Sequence, residues 1–372
     1  MTRLLLSALL LLPVAAFADD KPKAGAPKAN TLTPQEIAEG WILLFDGETS
    51  FGWKGDLKAA DGEMRIAGQA PASPTSVLGL NFELAFEYKA DAGGGGQLLL
   101  QDGRDHLVIL PLQGTGAWRR GTLTYRFEAG RRSPFYTWKT HKTSENATTR
   151  FGTTPPELAF RALDGSAVSI RSVRARPSAA TPLFNGKDLS GWKEQSRGGK
   201  SSKWSVAEGG VLRCQDGPGD LQTEGQWADF VLQAEVKTHG EGLNSGFFFR
   251  AIPGEYQNGY EAQINNKFKD GDRTKPADFG TGAIYRRIPA RRIVADDNEW
   301  FTLTVVAHGN HIATWVNGIQ VVDWTDDRPA DENPRKGRKT GKGCISIQGH
   351  DPTTDLSFRN IRLAELSAPE KK

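Results

Sequence analysis

The sequence predicts an all-β protein, two tandem jelly-roll β-sandwiches with very little helix, on three observations. Apolar residues recur with a period of two in several short runs. A set of these runs appears twice in the same order. Of 372 residues, 42 are Gly, 18 Phe and 10 Trp, a load that suits short strands and tight turns.

Composition narrows the class further. A hydrophobic fraction of 38% with 24% charge excludes wholesale disorder. The 47 basic and 44 acidic residues nearly cancel, so the chain lacks the basic surplus expected of a nucleic-acid binder. Two cysteines exclude a multi-disulfide scaffold.

Residues 1–18 hold Arg3, an apolar run from Leu4 to Leu12, and Ala16-Phe17-Ala18 before Asp19, the pattern of a secretory signal peptide. Pro13 and the shortness of the run argue against a transmembrane anchor. The expected mature chain is exported, periplasmic or secreted, with no membrane insertion after cleavage. Export makes Cys214 and Cys344 a candidate bridge; two separately buried thiols are the alternative.

Residues 19–32, rich in Lys, Ala and Pro, read as a flexible leader. Thr33-Pro34-Gln35-Glu36 is a capping box with proline at the first helical position, so a helix of barely two turns is expected, ended by Gly40. The string from Trp41 through Phe45-Asp46-Gly47 to Gly52-Trp53-Lys54 then returns as Leu183-Phe184-Asn185-Gly186 to Gly191-Trp192-Lys193. In the same order, residues 81–89 parallel 229–237, 118–127 parallel 300–306, and 168–175 parallel 356–363. This is an internal repeat. It divides the chain into a first copy, 33–176, a linker, 177–182, and a second copy, 183–366.

Within each copy Phe82, Leu84, Phe86 and Tyr88, or Phe230, Leu232, Ala234 and Val236, fall on one strand face with polar residues opposite. Asn317-Gly318 supplies the two positive-φ residues of a hairpin turn. The stretches 267–275 and 326–342 read as exposed loops. In the first copy, Gly93 to Gly96 reads as a loop and not a phosphate cradle, because no helix follows.

In the strand from Gly259 to Asn265, Glu261, Gln263 and Asn265 share one face, and Tyr260, Ala262 and Ile264 the other. An acid beside two amides is either a sugar-reading surface or a solvated sheet face. Arg250, Gln348 and His350 on neighbouring strand segments favour a site.

The set Asn244-Ser245-Gly246 to Arg250, Gly259-Tyr260-Glu261-Ala262-Gln263-Ile264, Thr281-Gly282-Ala283-Ile284-Tyr285, Asn298-Glu299-Trp300, Ile347-Gln348-Gly349-His350 and Phe358-Arg359-Asn360-Ile361 resembles the 3-keto-disaccharide hydrolase domain family. The resemblance covers residues 181–366. The first copy keeps the framework without the polar motifs. Membership implies a concanavalin A-like jelly roll and an exported enzyme acting on sugars oxidised at C3, by hydrolysis or by elimination and hydration.

Ordinary glycosidases flank the scissile bond with two carboxylates, yet the next position on this strand face is an amide, Gln263. A C3 ketone acidifies C2–H, so one base, a stabiliser for the enolate oxygen and an acid for the leaving group suffice. His350 or Glu261 is the candidate base, with His350 favoured because imidazole titrates near working pH. Arg250 or a divalent metal is the candidate enolate stabiliser, and Arg250 has a second reading as a buried partner of Glu261. Tyr285 either donates to the leaving group or stacks on a sugar ring. Gln263, Asn265 and Gln348 are candidate substrate contacts. A divalent metal is the one cofactor left open, without compact ligand spacing to support it.

The expected partner is a small carbohydrate. The alternative function is a non-catalytic, lectin-like carbohydrate-binding protein. The first copy is expected to serve as a packing partner or a carbohydrate-binding module. The second copy, spanning a whole sandwich, is expected to fold and act as residues 178–372 alone.

Overall fold

The computed structural model describes residues 28–102, 107–128, 133–149 and 154–366. The signal-peptide segment and most of the leader lie outside these. Among the described residues, no helix is long and apolar enough to cross a membrane.

The protein is almost entirely β. The one α-helix among the described residues, Pro34–Glu39, starts as the capping box requires: Glu36 N–H donates to Thr33 Oγ1 at 3.2 Å, and Thr33 N–H to Glu36 Oε2 at 2.8 Å. Gly40 ends it at φ 89°, a conformation that costs glycine nothing. The leader differs from expectation at its described end. Asn30 is buried, donating to Gly62 O at 2.9 Å and accepting from Ser172 N–H at 2.7 Å. A side-chain amide that caps two backbone groups fixes this segment against the sheet.

The repeat is visible as matching sheet positions. In the first half, strands Arg119–Arg126, Phe82–Ala90, Ala167–Pro177 and Glu63–Ala67 are consecutive neighbours in an eight-stranded antiparallel sheet. In the second half, Phe301–His308, Phe230–Thr238, Asp355–Glu365 and Val211–Gln215 hold the same order in another eight-stranded sheet. Both long return strands carry a bulge beside a positive-φ residue, Ser172 in one and Asn360 in the other. The indole N–H of Trp53 donates to Leu44 O, and that of Trp192 to Leu183 O at 3.0 Å. The repeated Phe-x-Gly…Gly-Trp string therefore closes the same loop in both halves.

Smaller sheets complete the sandwiches. Glu157–Ala162, Gly95–Gln101 and Leu107–Gln113 form a three-stranded sheet in the first half. The second half has five strands in the order Trp192–Ser196, Gly219–Thr223, Cys344–Gly349, Ser245–Ala251 and Tyr260–Ile264. The glycine run corrects the loop expectation: only Gly93 and Gly94 turn, while Gly95 and Gly96 are paired strand residues. A Cβ on Gly96 would stand 2.4 Å from Val168 Cγ2 and 2.7 Å from Arg161 O. Glycine there lets sheets approach.

The second half fills its own core with Phe230, Phe247, Phe249, Ile347 and Phe358. The outward face of its large sheet is also covered. Val231, Val306, Ala313, Trp315, Ala364 and Leu366 join the first-half core. Trp315 Nε1–H donates to Leu43 O at 2.9 Å, and Leu43 N–H to Gly318 O at 2.8 Å. Cys214 and Cys344 are free and buried in separate clusters, so the alternative of two thiols holds.

Candidate active site

The five-stranded sheet has an apolar face, with Leu221, Ile347, Phe247 and Ala262 in the core. Alternation puts Asp220, Gln222, Ser346, Gln348, Phe248, Glu261 and Gln263 on the opposite face. Register aligns them: Asp220 stands opposite Gln348, Gln222 opposite Ser346, Phe248 opposite Glu261, and Gly246 opposite Gln263. A cleft of about 570 Å³ opens on this polar face, lined by Glu261, Gln263, Gln348, His350 and Tyr285 together with Asn244, Tyr256 and Arg335.

Glu261 is 3% exposed and meets Arg335 Nη2 at 3.0 Å. Burial pushes its carboxyl up to about 7 against the pull of Arg335, with Asp220 and Asp278 adding repulsion. Asp220 is also pushed up to about 7 by burial, although Gln257 N–H donates to its Oδ2 at 3.1 Å. Gly246 makes room for the acid, since a Cβ there would lie 2.9 Å from Cγ and Oε1 of Glu261. Arg335 is held by its Nε–H donating to Gln257 O at 2.9 Å and by the Phe248 ring, 5.1 Å from its guanidinium.

His350 Nδ1 lies 2.7 Å from Asp351 Oδ2. Burial opposes ionisation of Asp351, but hydrogen bonds from Thr353 and His350 outweigh it and hold the carboxyl below the usual range. An ionised Asp351 keeps the proton on Nδ1 and leaves Nε2 of a neutral imidazole unprotonated. Gln263 Nε2–H donates to Asp278 Oδ2 at 3.1 Å. Four buried acceptors on or beside this face, Asp220 Oδ1, Gln263 Oε1, Gln348 Oε1 and Asn244 Oδ1, make no hydrogen bond within the protein. Unmet buried acceptors cost free energy, so their clustering marks a place for a ligand rich in hydroxyl donors.

Two expected site residues stand elsewhere. Arg250 is fully buried away from the cleft, donating to Ala228 O at 2.7 Å, Gly309 O at 2.7 Å, Lys339 O at 2.8 Å and Asp229 Oδ1 at 3.1 Å. Strict alternation would put it beside Phe248, but the ladder breaks between Phe248 and Ala251 and Arg250 has φ 49°, which turns its side chain away. The partner of Glu261 is therefore Arg335. Asn265 does not reach the cleft either; its Oδ1 accepts from Lys267 N–H at 3.1 Å and its backbone pairs with Thr281. It shapes a turn. Among the described residues, no group of three His, Cys, Asp or Glu is placed to hold a metal ion.

Sequence reasoning missed Arg335, Asp220 and Tyr256. Asp220 had a signal, because Asp220 and Gln222 alternate within Gly219–Thr223 as Glu261 and Gln263 do. Arg335 had none, lying in the stretch read as an exposed loop.

The two raised acids have a consequence for stability. Each holds its proton more tightly folded than unfolded, so its contribution is full below the unfolded values of 3.8 and 4.5 and is lost as pH rises toward 7. Asp220→Asn with Glu261→Gln is expected to flatten this fall, roughly several kcal/mol for the two acids together, in urea midpoints taken from pH 4 to 8. An unchanged slope would contradict the assignment.

Among relatives, a 3-keto-disaccharide hydrolase of Bacteroides thetaiotaomicron is 25% identical over 227 residues, covering 50% of this chain and 77% of that one. A crystal structure from Parabacteroides distasonis, provisionally named a glycosyl hydrolase, is 26% identical, covers 51% of this chain and 100% of its own, and has a TM-score of 0.39. A carbohydrate binding module from Bacillus subtilis is 17% identical, covers 46% of this chain and 93% of its own, with a TM-score of 0.31. The family model of the 3-keto-alpha-glucoside-1,2-lyase-like domain matches residues 179–364, half of the chain and every residue that lines the cleft, and the chain belongs to that family.

Proposed function

We propose that the protein cleaves the glycosidic bond of 3-keto glycosides or 3-keto disaccharides in the cleft of the second sandwich, by elimination followed by hydration. The observation that carries this reading is the pair of buried Glu261 with half-buried Arg335, set among unmet acceptors on one sheet face. His350, oriented by Asp351, takes the C2 proton through Nε2. The electron pair delocalises onto the C3 oxygen, where the Arg335 guanidinium stabilises the enolate. Collapse of the enolate expels the C1 oxygen, which takes a proton from neutral Glu261. Water then adds across the C1–C2 double bond, hydroxyl to C1 and proton to C2, to give the free 3-keto sugar. Gln263, Gln348 and Tyr285 hold the ring. No step is assigned to a metal.

The test is aglycone release from a 3-keto-glucoside with a chromogenic leaving group, in D2O, with and without chelator. Release with deuterium at C2 of the recovered sugar supports elimination. Release with protium retained at C2 would replace it by direct hydrolysis. Binding without release would favour the lectin-like alternative.

Export is proposed on the residue 1–18 pattern. The intact mass of protein from its native host is expected to begin at Asp19, and retention of Leu4 to Leu12 would mean an anchor instead.

A further inference from the structure

Three guanidiniums reach the cleft from three separate segments: Arg197, Arg286 and Arg335. Arg335 meets Glu261 and is assigned to the enolate oxygen. Arg197 and Arg286 are exposed, and neither lies within ion-pair distance of a carboxylate among the described residues. Their side chains lean on tyrosines instead, Arg197 at 5.1 Å from the Tyr256 ring and Arg286 at 5.3 Å from the Tyr285 ring.

The carboxylates around the cleft are already engaged. Asp278 accepts from the amides of Asn244 and Gln263, Asp351 from His350, and Glu255 from Asn258. The lining of the cleft itself holds three arginines and one carboxylate, Glu261, in a chain whose overall charge is only +3.

The two arginines come from opposite sides. Arg197 follows Trp192–Ser196, one edge of the five-stranded sheet. Arg286 follows Ile284 and Tyr285, which pair with Ala262 and Glu261 beyond the other edge. Arg286 sits at φ 59°, a left-handed conformation that glycine or asparagine adopts at lower cost. Glycine would make the same turn without strain and without a guanidinium at the cleft.

We propose that the cleft takes a saccharide bearing a negative charge, as a uronate carboxylate or a phosphate ester, neutralised by Arg197 and Arg286. The inference rests on the reading of this cleft as a sugar site, and binding tests it independently of cleavage.

The experiment is calorimetric titration of the full chain with methyl glucuronide, glucose 6-phosphate, methyl glucoside and inorganic phosphate, at low and high salt. At least one anionic sugar is expected to bind about tenfold more tightly than methyl glucoside at low salt. The preference is expected to fall to about twofold or less in Arg197→Gln/Arg286→Gln and to return in Arg197→Lys/Arg286→Lys. Tighter binding of the glucuronide assigns a carboxylate, and tighter binding of the phosphate assigns a phosphate ester. Equal binding of charged and neutral sugars, no binding of either anionic sugar, or inorganic phosphate binding as well as glucose 6-phosphate would each overturn the proposal. Cleavage of a neutral 3-keto-glucoside by the same preparation leaves the functional reading standing in those cases. Tight anionic binding without any cleavage overturns that reading and leaves the charge assignment.

Discussion

Replacing Glu261 by glutamine is expected to lower turnover of a 3-keto glycoside by about 10²–10⁴-fold, with little change in KM. Glutamine preserves the shape and an oxygen for Arg335, whose Nη2 stands 3.0 Å from the native carboxylate, so positioning survives while the transferable proton does not. The pH profile separates these roles. A neutral acid pushed up to about 7 gives activity that falls as pH rises through that value, and the variant lacks this limb. His350→Ala is expected to lose a similar factor. Parent-like steady-state turnover by both variants would remove the proton-transfer roles and leave a binding cleft.

Residues 178–372 alone are expected to aggregate or to unfold well below the full chain, contrary to what a self-contained second repeat implies. Truncation strips cover from Val231, Val306, Trp315, Ala364 and Leu366 at once. It also orphans the Trp315 indole N–H, which donates to Leu43 O, and the Gln233 amide, which donates to Gly40 O at 2.9 Å. An exposed apolar face of that kind drives association. Within the full chain, Trp315→Ala isolates the effect and should cost about 3–5 kcal/mol, read from denaturant unfolding with size-exclusion chromatography as a check on association. A monomeric 178–372 chain with the parent's thermal midpoint would show that the first half contributes nothing to the stability of the second.

The strands, the repeat and the capped helix were legible because each depends on local spacing. Period-two alternation put Glu261 and Gln263 on one face and Tyr260, Ala262 and Ile264 in the core, as the structure has them. The same rule failed at Arg250, where a bulge and a positive φ break the alternation on which the inference rested. Arg335 was illegible for a different reason. Its place is set by long-range contacts with Gln257, Phe248 and Glu261, and a loop rich in both charge signs gives no hint of which residue turns inward. The face that joins the two halves was hidden as well. Residues such as Val231 and Val306 on a strand buried on both sides read only as a longer apolar run.

The loop that delivers Arg335 is pinned on both flanks. Arg328 grips Asp326 at 2.7 Å, Asp326 accepts from the Tyr260 hydroxyl at 2.6 Å, Lys339 N–H donates to that same hydroxyl at 2.8 Å, and buried Arg250 donates to Lys339 O. The core residue Tyr260 is thus a shared anchor one position before Glu261 in the chain. The acid and its guanidinium are set relative to one another by a single fastening, so a substrate meets a mould already cast. Little ordering entropy of this loop is left to lose on arrival, and discrimination between sugars falls to the shape and charge of a standing rim.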